Sequence, residues 1–255
     1  MTYWDVLGKR CQGYLDEYGY ENFKRTVGVV YNDYYLNHDT YKLDDDYEEK
    51  VEAIWDSMYK LYSSSLLDLF SEPLVGNPLG IIYKGRVVSI DLSASISEML
   101  LLMDKIDFSK VHDIHEIGGG YGRLAYVIGQ MYPRIRYKMY DIQPSLGLAE
   151  RYLTDVSPNG NFFFHEPSKL GTDCDILIAM DCLHEMNDKQ VNDYFDYADK
   201  HARFFYYTCW KHTNVADHGI KWSQADYPVR KSWKPLFVGQ HRMRSQFFEA
   251  LYEIK

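Results

Sequence analysis

Apolar positions over the first seventy residues recur at helical spacing. Tyr3–Tyr18 and Glu21–Tyr35 read as two helices broken at Gly19-Tyr20. A third helix is clearer, because Val51, Ile54, Trp55, Met58, Leu61 and Tyr62 follow the i, i+3, i+4, i+7 rule. Asp44, Asp45 and Asp46 sit just before it, where acids favour a helix N-terminus. Such helices cannot bury their apolar stripes alone, so they should pack on a later domain or on a second subunit. The pattern changes at Ser71. Glu72-Pro73 and Gly76-Asn77-Pro78 are turn chemistry, and Ile81–Tyr83 and Val87–Ile90 flank Lys84-Gly85-Arg86 as the arms of a small hairpin. Ser93–Met103 is one more amphipathic helix.

From Val111 the pattern alternates between strand and helix. It predicts strand 111–117, helix 122–131, strand 136–141, helix 144–153, strand 161–165, strand 175–180, helix 188–200 and strand 203–209. Pro235–Val238 and Leu251–Ile254, around a helix near Ser245–Ala250, supply two final strands. The fold class is α/β: a mostly parallel, seven-stranded sheet flanked by helices, with an N-terminal helical extension. The domain division expected is 1–92 for the extension and a hairpin or lid segment, and 93–255 for the sheet domain.

Length and composition agree with one α/β domain plus an extension. The net charge of −9 and the lack of a basic stripe argue against nucleic-acid partners. From His201 onward the chain turns mildly basic (Lys211, Lys221, Arg230, Lys231, Lys234, Arg242, Arg244), which reads as a solvated face. The four cysteines are scattered without a C-x-x-C pair, as for reduced core thiols in a cytosolic protein. No basic region leads into an apolar run at the N-terminus, and no stretch nears about eighteen apolar residues, so a cytoplasmic protein with no membrane span is expected.

The candidate chemistry centres on Glu116-Ile117-Gly118-Gly119-Gly120-Tyr121-Gly122-Arg123. Glycines after a buried strand let backbone N–H groups approach a ligand with no Cβ in the way. Counted from Gly118, the frame is not the G-x-G-x-x-G of dinucleotide-binding proteins, since the last glycine position falls on Arg123. Tyr137–Asp141 is a second strand ending in an acid nineteen residues past Gly122, which puts a carboxylate at the neighbouring strand tip, in reach of two ribose hydroxyls. The pair resembles motifs I and II of class I S-adenosylmethionine-dependent methyltransferases. That resemblance implies a Rossmann-like fold with S-adenosylmethionine as cofactor and S-adenosylhomocysteine as product. Glu116, Gly118, Gly120, Tyr121 and Gly122 would then line the amino-acid end of the cofactor. Asp141 would take the ribose, Ile142 and Glu166 the adenine, and Met180 would lie at the cofactor from the end of the fourth strand.

The fourth strand, Asp175–Met180, runs into Asp181-Cys182-Leu183-His184-Glu185-Met186-Asn187-Asp188. Strand tips on this side of such a sheet face the ligand, and a neutral imidazole there can take a proton from an attacking hydroxyl. The stretch resembles the His-Asp-x-x-x-Asp segment of small-molecule O-methyltransferases, with Glu185 in place of Asp, which implies His184 as general base, assisted by Glu185 and Asp181. Asp181-x-x-His184 also resembles the segment of magnesium-dependent macrolide sugar O-methyltransferases. Those add an acidic pair after the fifth strand, whereas this chain reads Tyr207-Thr208-Cys209-Trp210-Lys211-His212, so no metal is expected. Trp210 and His212 should face the acceptor.

More widely, the chain resembles a bacterial and viral group of sugar O-methyltransferases. The residues that carry this are Glu72-Pro73, Gly76-Asn77-Pro78, Gly85-Arg86-x-x-Ser89-x-Asp91-Leu92 with Glu98, Glu116–Ala125, Tyr140-Asp141-Ile142-x-Pro144 and His184-Glu185-Met186. The resemblance covers Ser71 to Trp210 and implies methylation of a sugar hydroxyl in a glycan or glycan precursor. The Ser71–Asp91 segment and the N-terminal helices would close over the cofactor, and their apolar faces leave room for a homodimer. The alternatives are a phenol or polyketide O-methyltransferase, a nicotinamide oxidoreductase, which the loop frame disfavours, and a non-catalytic binding protein of the same fold.

Overall fold

A computed structural model describes residues 3–26, 36–37, 42–43 and 45–255. The chain divides into two compact units, Lys9–Met99 and Met1–Gly8 with Leu100–Lys255. Helix α1 is Tyr3–Tyr18, and a short helical turn at Phe23–Thr26 opens the next predicted helix, whose remainder, like Asp44, lies outside the described residues.

In the Lys9–Met99 unit, helix α2 (Tyr47–Leu61) buries Tyr47, Val51, Trp55 and Met58, the stripe its periodicity requires. Strands β1 (Ile81–Tyr83) and β2 (Arg86–Val88) form the expected antiparallel hairpin. The Arg86 guanidinium lies over the Trp55 ring, 4.9 Å from its centroid, and donates to the carbonyls of Leu67 and Phe70. Glu72, half of the turn signature, is a buried anchor. Its carboxylate pairs with the Lys24 ammonium and accepts from the Ser89 hydroxyl at 2.6 Å, with both ion-pair side chains at most 4% exposed. Helix α3 (Ile90–Lys105) follows.

The second unit is built on one sheet. Its strands are β3 (Asp113–Ile117), β4 (Arg136–Tyr140), β5 (Phe162–His165), β6 (Cys174–Met180), β7 (Ala202–Trp210), β10 (Lys234–Gln240) and β11 (Phe247–Glu253), in the order β10-β11-β7-β6-β3-β4-β5. The five strands from β7 to β5 run parallel, while β11 is antiparallel to both β7 and β10. This is the expected α/β sheet. Helices α4 (Arg123–Met131), α5 (Ser145–Val156) and α6 (Asp188–His201) make the crossovers. All of β3 is buried, as a central parallel strand covered on both faces must be. From β3 the chain winds outward through β4 and β5, then crosses back to β6 on the other side. The carboxyl ends of β3 and β6 therefore flank the topological switch point, where ligands of such sheets bind.

Helix α6 starts in a capping box between Asn187 and Gln190 and buries Val191, Phe195 and Ala198 against β7. Phe195 stacks on Trp233 with centroids 5.7 Å apart, inside a cluster that includes Phe205, Tyr207, Tyr227 and Tyr252. Two features depart from the sequence reading. The helix expected near Ser245–Ala250 is instead the first half of β11, because Phe247–Ala250 completes a ladder with Trp210–Tyr207. A hairpin of β8 (His212–Val215) and β9 (Ile220–Ser223), not anticipated, follows β7.

The buried anchor gives a test. Lys24→Met leaves the Glu72 carboxylate buried without its counter-ion, and urea unfolding should show a loss of about 3–5 kcal/mol. Adding Glu72→Gln should recover most of it.

Candidate functional site

At the end of β3 the backbone turns through Gly118, Gly120 and Gly122 at φ of +67°, +58° and +91°, a region that suits glycine. A Cβ on Gly118 would stand 2.5 Å from the Cys182 Cβ, and one on Gly122 would stand 2.8 Å from the Leu153 side chain. At Gly120 a Cβ would meet nothing within 4 Å. The loop is thus packed tightly underneath and open at Gly120. Glu116 lies buried below it, accepting from the Tyr137 hydroxyl at 3.0 Å. Tyr121 is buried edge-on against Tyr152, so its ring belongs to the packing of α4 and α5.

Asp141 follows β4 and is buried. One carboxylate oxygen accepts from the Gly120 amide at 2.9 Å, and the other accepts from the Ile142 amide at 2.7 Å. Burial pushes this carboxyl up to about 6, against the two amide bonds that favour its charge. Ile142 is half-buried beside it, and Gly8 packs on the adjoining backbone, its would-be Cβ 3.2 Å from the Gln143 carbonyl oxygen. Glu166, past β5, is exposed at the start of a short helical turn.

The other wall is the segment after β6. Met180 is buried, with its sulfur 3.9 Å from the Thr208 hydroxyl. Asp181 takes a left-handed conformation, φ +54°, which is unusual for a residue with a side chain. It is held at three points. Its amide donates to the Thr208 carbonyl at 3.0 Å, one carboxylate oxygen accepts from the Thr208 hydroxyl at 2.8 Å, and the other pairs with the Arg244 guanidinium at 2.6 Å. Cys182 then reaches back to the glycine loop, its thiol donating to the Ile117 carbonyl at 3.2 Å. This contact, with the close approach to Gly118, brings the two strand ends together.

The single helical turn Leu183–Glu185 carries the two remaining groups. His184 is buried, with ring edges of Trp210 and Phe247 around it at centroid distances of 6.4 and 6.1 Å. Its Nδ1 has no hydrogen-bond partner among the described residues. Burial and the Arg244 cation push its pKa down to about 4, although Asp181 pulls the other way, so the imidazole is neutral at physiological pH. Glu185 behaves oppositely. Burial, reinforced by the Asp181 and Asp141 carboxylates, pushes it up to about 8, so it carries a proton at neutral pH. Trp210 is half-buried against Phe247, while His212 is exposed on the β8–β9 hairpin opposite Ser223.

The structure thus gathers the Gly118–Gly122 loop, Asp141, Asp181, His184 and Glu185 at one end of the sheet. It leaves His212 and Glu166 exposed and Tyr121 packed inside. Sequence reasoning missed Arg244, Thr208 and Phe247. Arg244, counted with a solvated basic face, is in fact 4% exposed in an ion pair with Asp181. Its partner lies 63 residues away, and nothing local announces the pairing. Among the described residues, no group of three or more His, Cys, Asp or Glu side chains comes together to hold a metal, and no helix is long and apolar enough to cross a membrane.

Residues 90–202, from α3 to the start of β7, match the family model of the O-methyltransferase domain. The match takes in the glycine loop, Asp141 and the turn that carries His184, and spans less than half of the chain. No curated protein matches the chain. Among solved structures, the PH0226 protein from Pyrococcus horikoshii OT3 is similar with a TM-score of 0.51 at 11% identity, over 63% of this chain and 89% of that one. The mitomycin 7-O-methyltransferase MmcR is similar with a TM-score of 0.50 at 14% identity, over 63% of this chain and 54% of that one. The glycopeptide N-methyltransferase MtfA, solved with sinefungin, is similar with a TM-score of 0.50 at 7% identity, over 64% of this chain and 87% of that one. At these identities the likeness is one of fold alone. The chain spans little more than half the length of MmcR.

The protonated Glu185 has a measurable signature. A carboxyl raised from about 4.5 unfolded to about 8 folded contributes stability that is complete below the lower value and lost as pH rises through the upper one. Glu185→Gln removes that dependence. The melting temperature of the variant relative to wild type should therefore climb between pH 6 and pH 9; a constant difference would show that Glu185 is ionised in the folded protein.

Proposed function

We propose that this protein transfers the methyl group of S-adenosylmethionine to a hydroxyl of a sugar or glycan, with His184 as general base. The observation that supports this most is the imidazole of His184, buried and unpaired at Nδ1, on the turn that abuts the glycine loop at the switch point. The residues suit the cofactor. Each oxygen of Asp141 accepts one amide bond and retains capacity for a ribose hydroxyl, and Gly120 faces open space. In this reading Asp141 holds the ribose, the amides of Gly118–Gly122 meet the amino-acid end with Glu116 bracing them from beneath, and Ile142 and Glu166 flank the adenine. Met180 packs at the cofactor from the end of β6.

When bound, S-adenosylmethionine supplies a methyl group made electrophilic by its sulfonium. His184 takes the proton from the acceptor hydroxyl, and Asp181 orients the turn that carries it. Glu185, uncharged, can donate a hydrogen bond in the same cleft. Positioning of the two reactants supplies most of the rate, and the base adds about 10²–10⁴-fold. The half-buried Trp210 ring, backed by the buried Phe247, offers an acceptor an apolar wall suited to the C–H face of a sugar, with His212 as a hydroxyl partner. The same wall suits a planar phenol, and MmcR is by its name a small-molecule O-methyltransferase, so a phenol or polyketide acceptor is the second reading. With the first reading go a cytoplasmic location and a homodimer through exposed apolar side chains such as Leu61, Leu69 and Leu74.

Titration calorimetry with S-adenosylhomocysteine tests the cofactor. Wild type should bind at micromolar affinity, Asp141→Ala should bind about tenfold or more weakly through loss of charge-assisted hydrogen bonds, and EDTA should change neither. An absence of binding by wild type would end the methyltransferase reading. His184→Ala should lose about 10²–10⁴-fold in kcat while retaining cofactor affinity, and a panel of sugars and phenols separates the two acceptor classes.

A further inference from the structure

The loop between β10 and β11 carries a charge that the reaction just described does not use. We propose that Arg244 is a positioning residue: through its ion pair with Asp181 it fixes the turn that carries His184 and cancels the charge that the imidazole would otherwise face. This inference rests on the general-base reading of His184.

Three observations carry it. First, the pair is buried, with side chains 4% and 8% exposed, and its N···O distance is 2.6 Å. Taking both charges out of water is costly, and such pairs fix geometry more dependably than they add stability. Second, Asp181 is in the left-handed region at φ +54°, a conformation that persists only when its surroundings over-determine it. Arg244 and Thr208 do so from two different strands' ends, and His184 stands three residues further on. Third, the Arg244 guanidinium lies on the Phe247 ring, 3.1 Å from its centroid, and the same ring meets the imidazole edge-on. Guanidinium, phenyl ring and imidazole thus adjoin in series, the first contact face-on and the second edge-on, so a shift of Arg244 moves the wall against which His184 rests.

The electrostatic consequence follows from the groups that face the imidazole. Asp181 favours its protonation and Arg244 opposes it. Trp210 from β7 and Phe247 from β11 carry no charge, and the Cys209 thiol, buried beneath the turn, is kept neutral. Glu185, the next residue, is protonated. With the ion pair intact Arg244 opposes the pull of Asp181 on His184, and burial keeps the base in its neutral, proton-accepting form. Without the guanidinium, Asp181 becomes an uncompensated carboxylate beside it. The imidazole then takes up a proton at a higher pH than in the intact protein, and below that pH it can no longer accept one from a hydroxyl.

The test reads His184 directly. Protein labelled with ¹³C and ¹⁵N histidine is titrated without cofactor or acceptor, with the His184 resonance assigned by its loss in His184→Gln. In Arg244→Gln the imidazole should titrate about one pH unit or more above wild type, at least tenfold in proton affinity. Arg244→Lys, which keeps the charge but not the fork, should stay near wild type in titration yet lose kcat. The double variant Asp181→Asn with Arg244→Gln buries no charge and should return the titration to near the wild-type value, so it carries the test if Arg244→Gln fails to fold. In the turnover assay the acidic limb of kcat should move upward with the imidazole in Arg244→Gln, while KM for S-adenosylmethionine stays within about twofold. An unshifted His184 in folded Arg244→Gln, or a double variant displaced as far as the single one, overturns the inference. Because the titration needs no substrate, a shift seen in a protein that methylates nothing supports the pairing and ends the general-base reading alone.

Discussion

The site depends on one carboxyl group. Asp141 accepts from the Gly120 amide with one oxygen and from its own neighbour's amide with the other, tying the tips of two adjacent parallel strands together. Without that clasp, a loop with three glycines at positive φ would sample many backbone states, since glycine loses the most freedom on ordering. The Cys182 contact with Gly118 and the Ile117 carbonyl performs the same service from β6. A flexible glycine turn thus becomes a rigid cradle, packed below and open above. Everything proposed for cofactor and base assumes that rigidity.

Around the cradle, burial has sorted the ionisable groups by protonation state. Asp141 and Glu185 are raised, and His184 is lowered, all chiefly by loss of solvent. The result is a neutral base and a neutral acid side by side on one helical turn, although the chain is strongly acidic. The compensated pair of Asp181 and Arg244 is the exception, where full charges are buried together. Environments that push neighbouring titratable groups in opposite directions are how one site can hold a donor and an acceptor of protons at the same pH.

Much of this was legible in the sequence, for identifiable reasons. The glycine turn, the acid after β4 and the His184-Glu185 dipeptide are local signals, each fixed by its spacing from a strand end, and the parallel core declares itself through apolar runs separated by amphipathic helices. What was not legible depends on distant pairing. Ser245–Ala250 contains good helix formers, and only the ladder with β7 makes Phe247–Ala250 a strand. Arg244 was read as surface because a lone arginine in a basic stretch usually is, and only the fold brings Asp181 to it. Glu116 and Tyr121 illustrate a finer limit. The motif marked their positions but not their protein partners, the Tyr137 hydroxyl for Glu116 and the Tyr152 ring for Tyr121.

The insertion of β11 between β7 and β10 orders the assembly in time. Both neighbours of this strand precede it in the chain, so the outer edge of β7 has no partner until residues 247–253 pair with it, alone or as a hairpin with β10. Arg244 lies at the leading end of that strand. The turn bearing His184 consequently acquires its counter-charge only as the sheet closes. A nascent or partly unfolded chain can form the glycine loop and the parallel core, whose contacts are nearer in sequence, while the proton-accepting side of the cleft is still without its electrostatic balance. Closure of the sheet and completion of the surroundings proposed for His184 then go together.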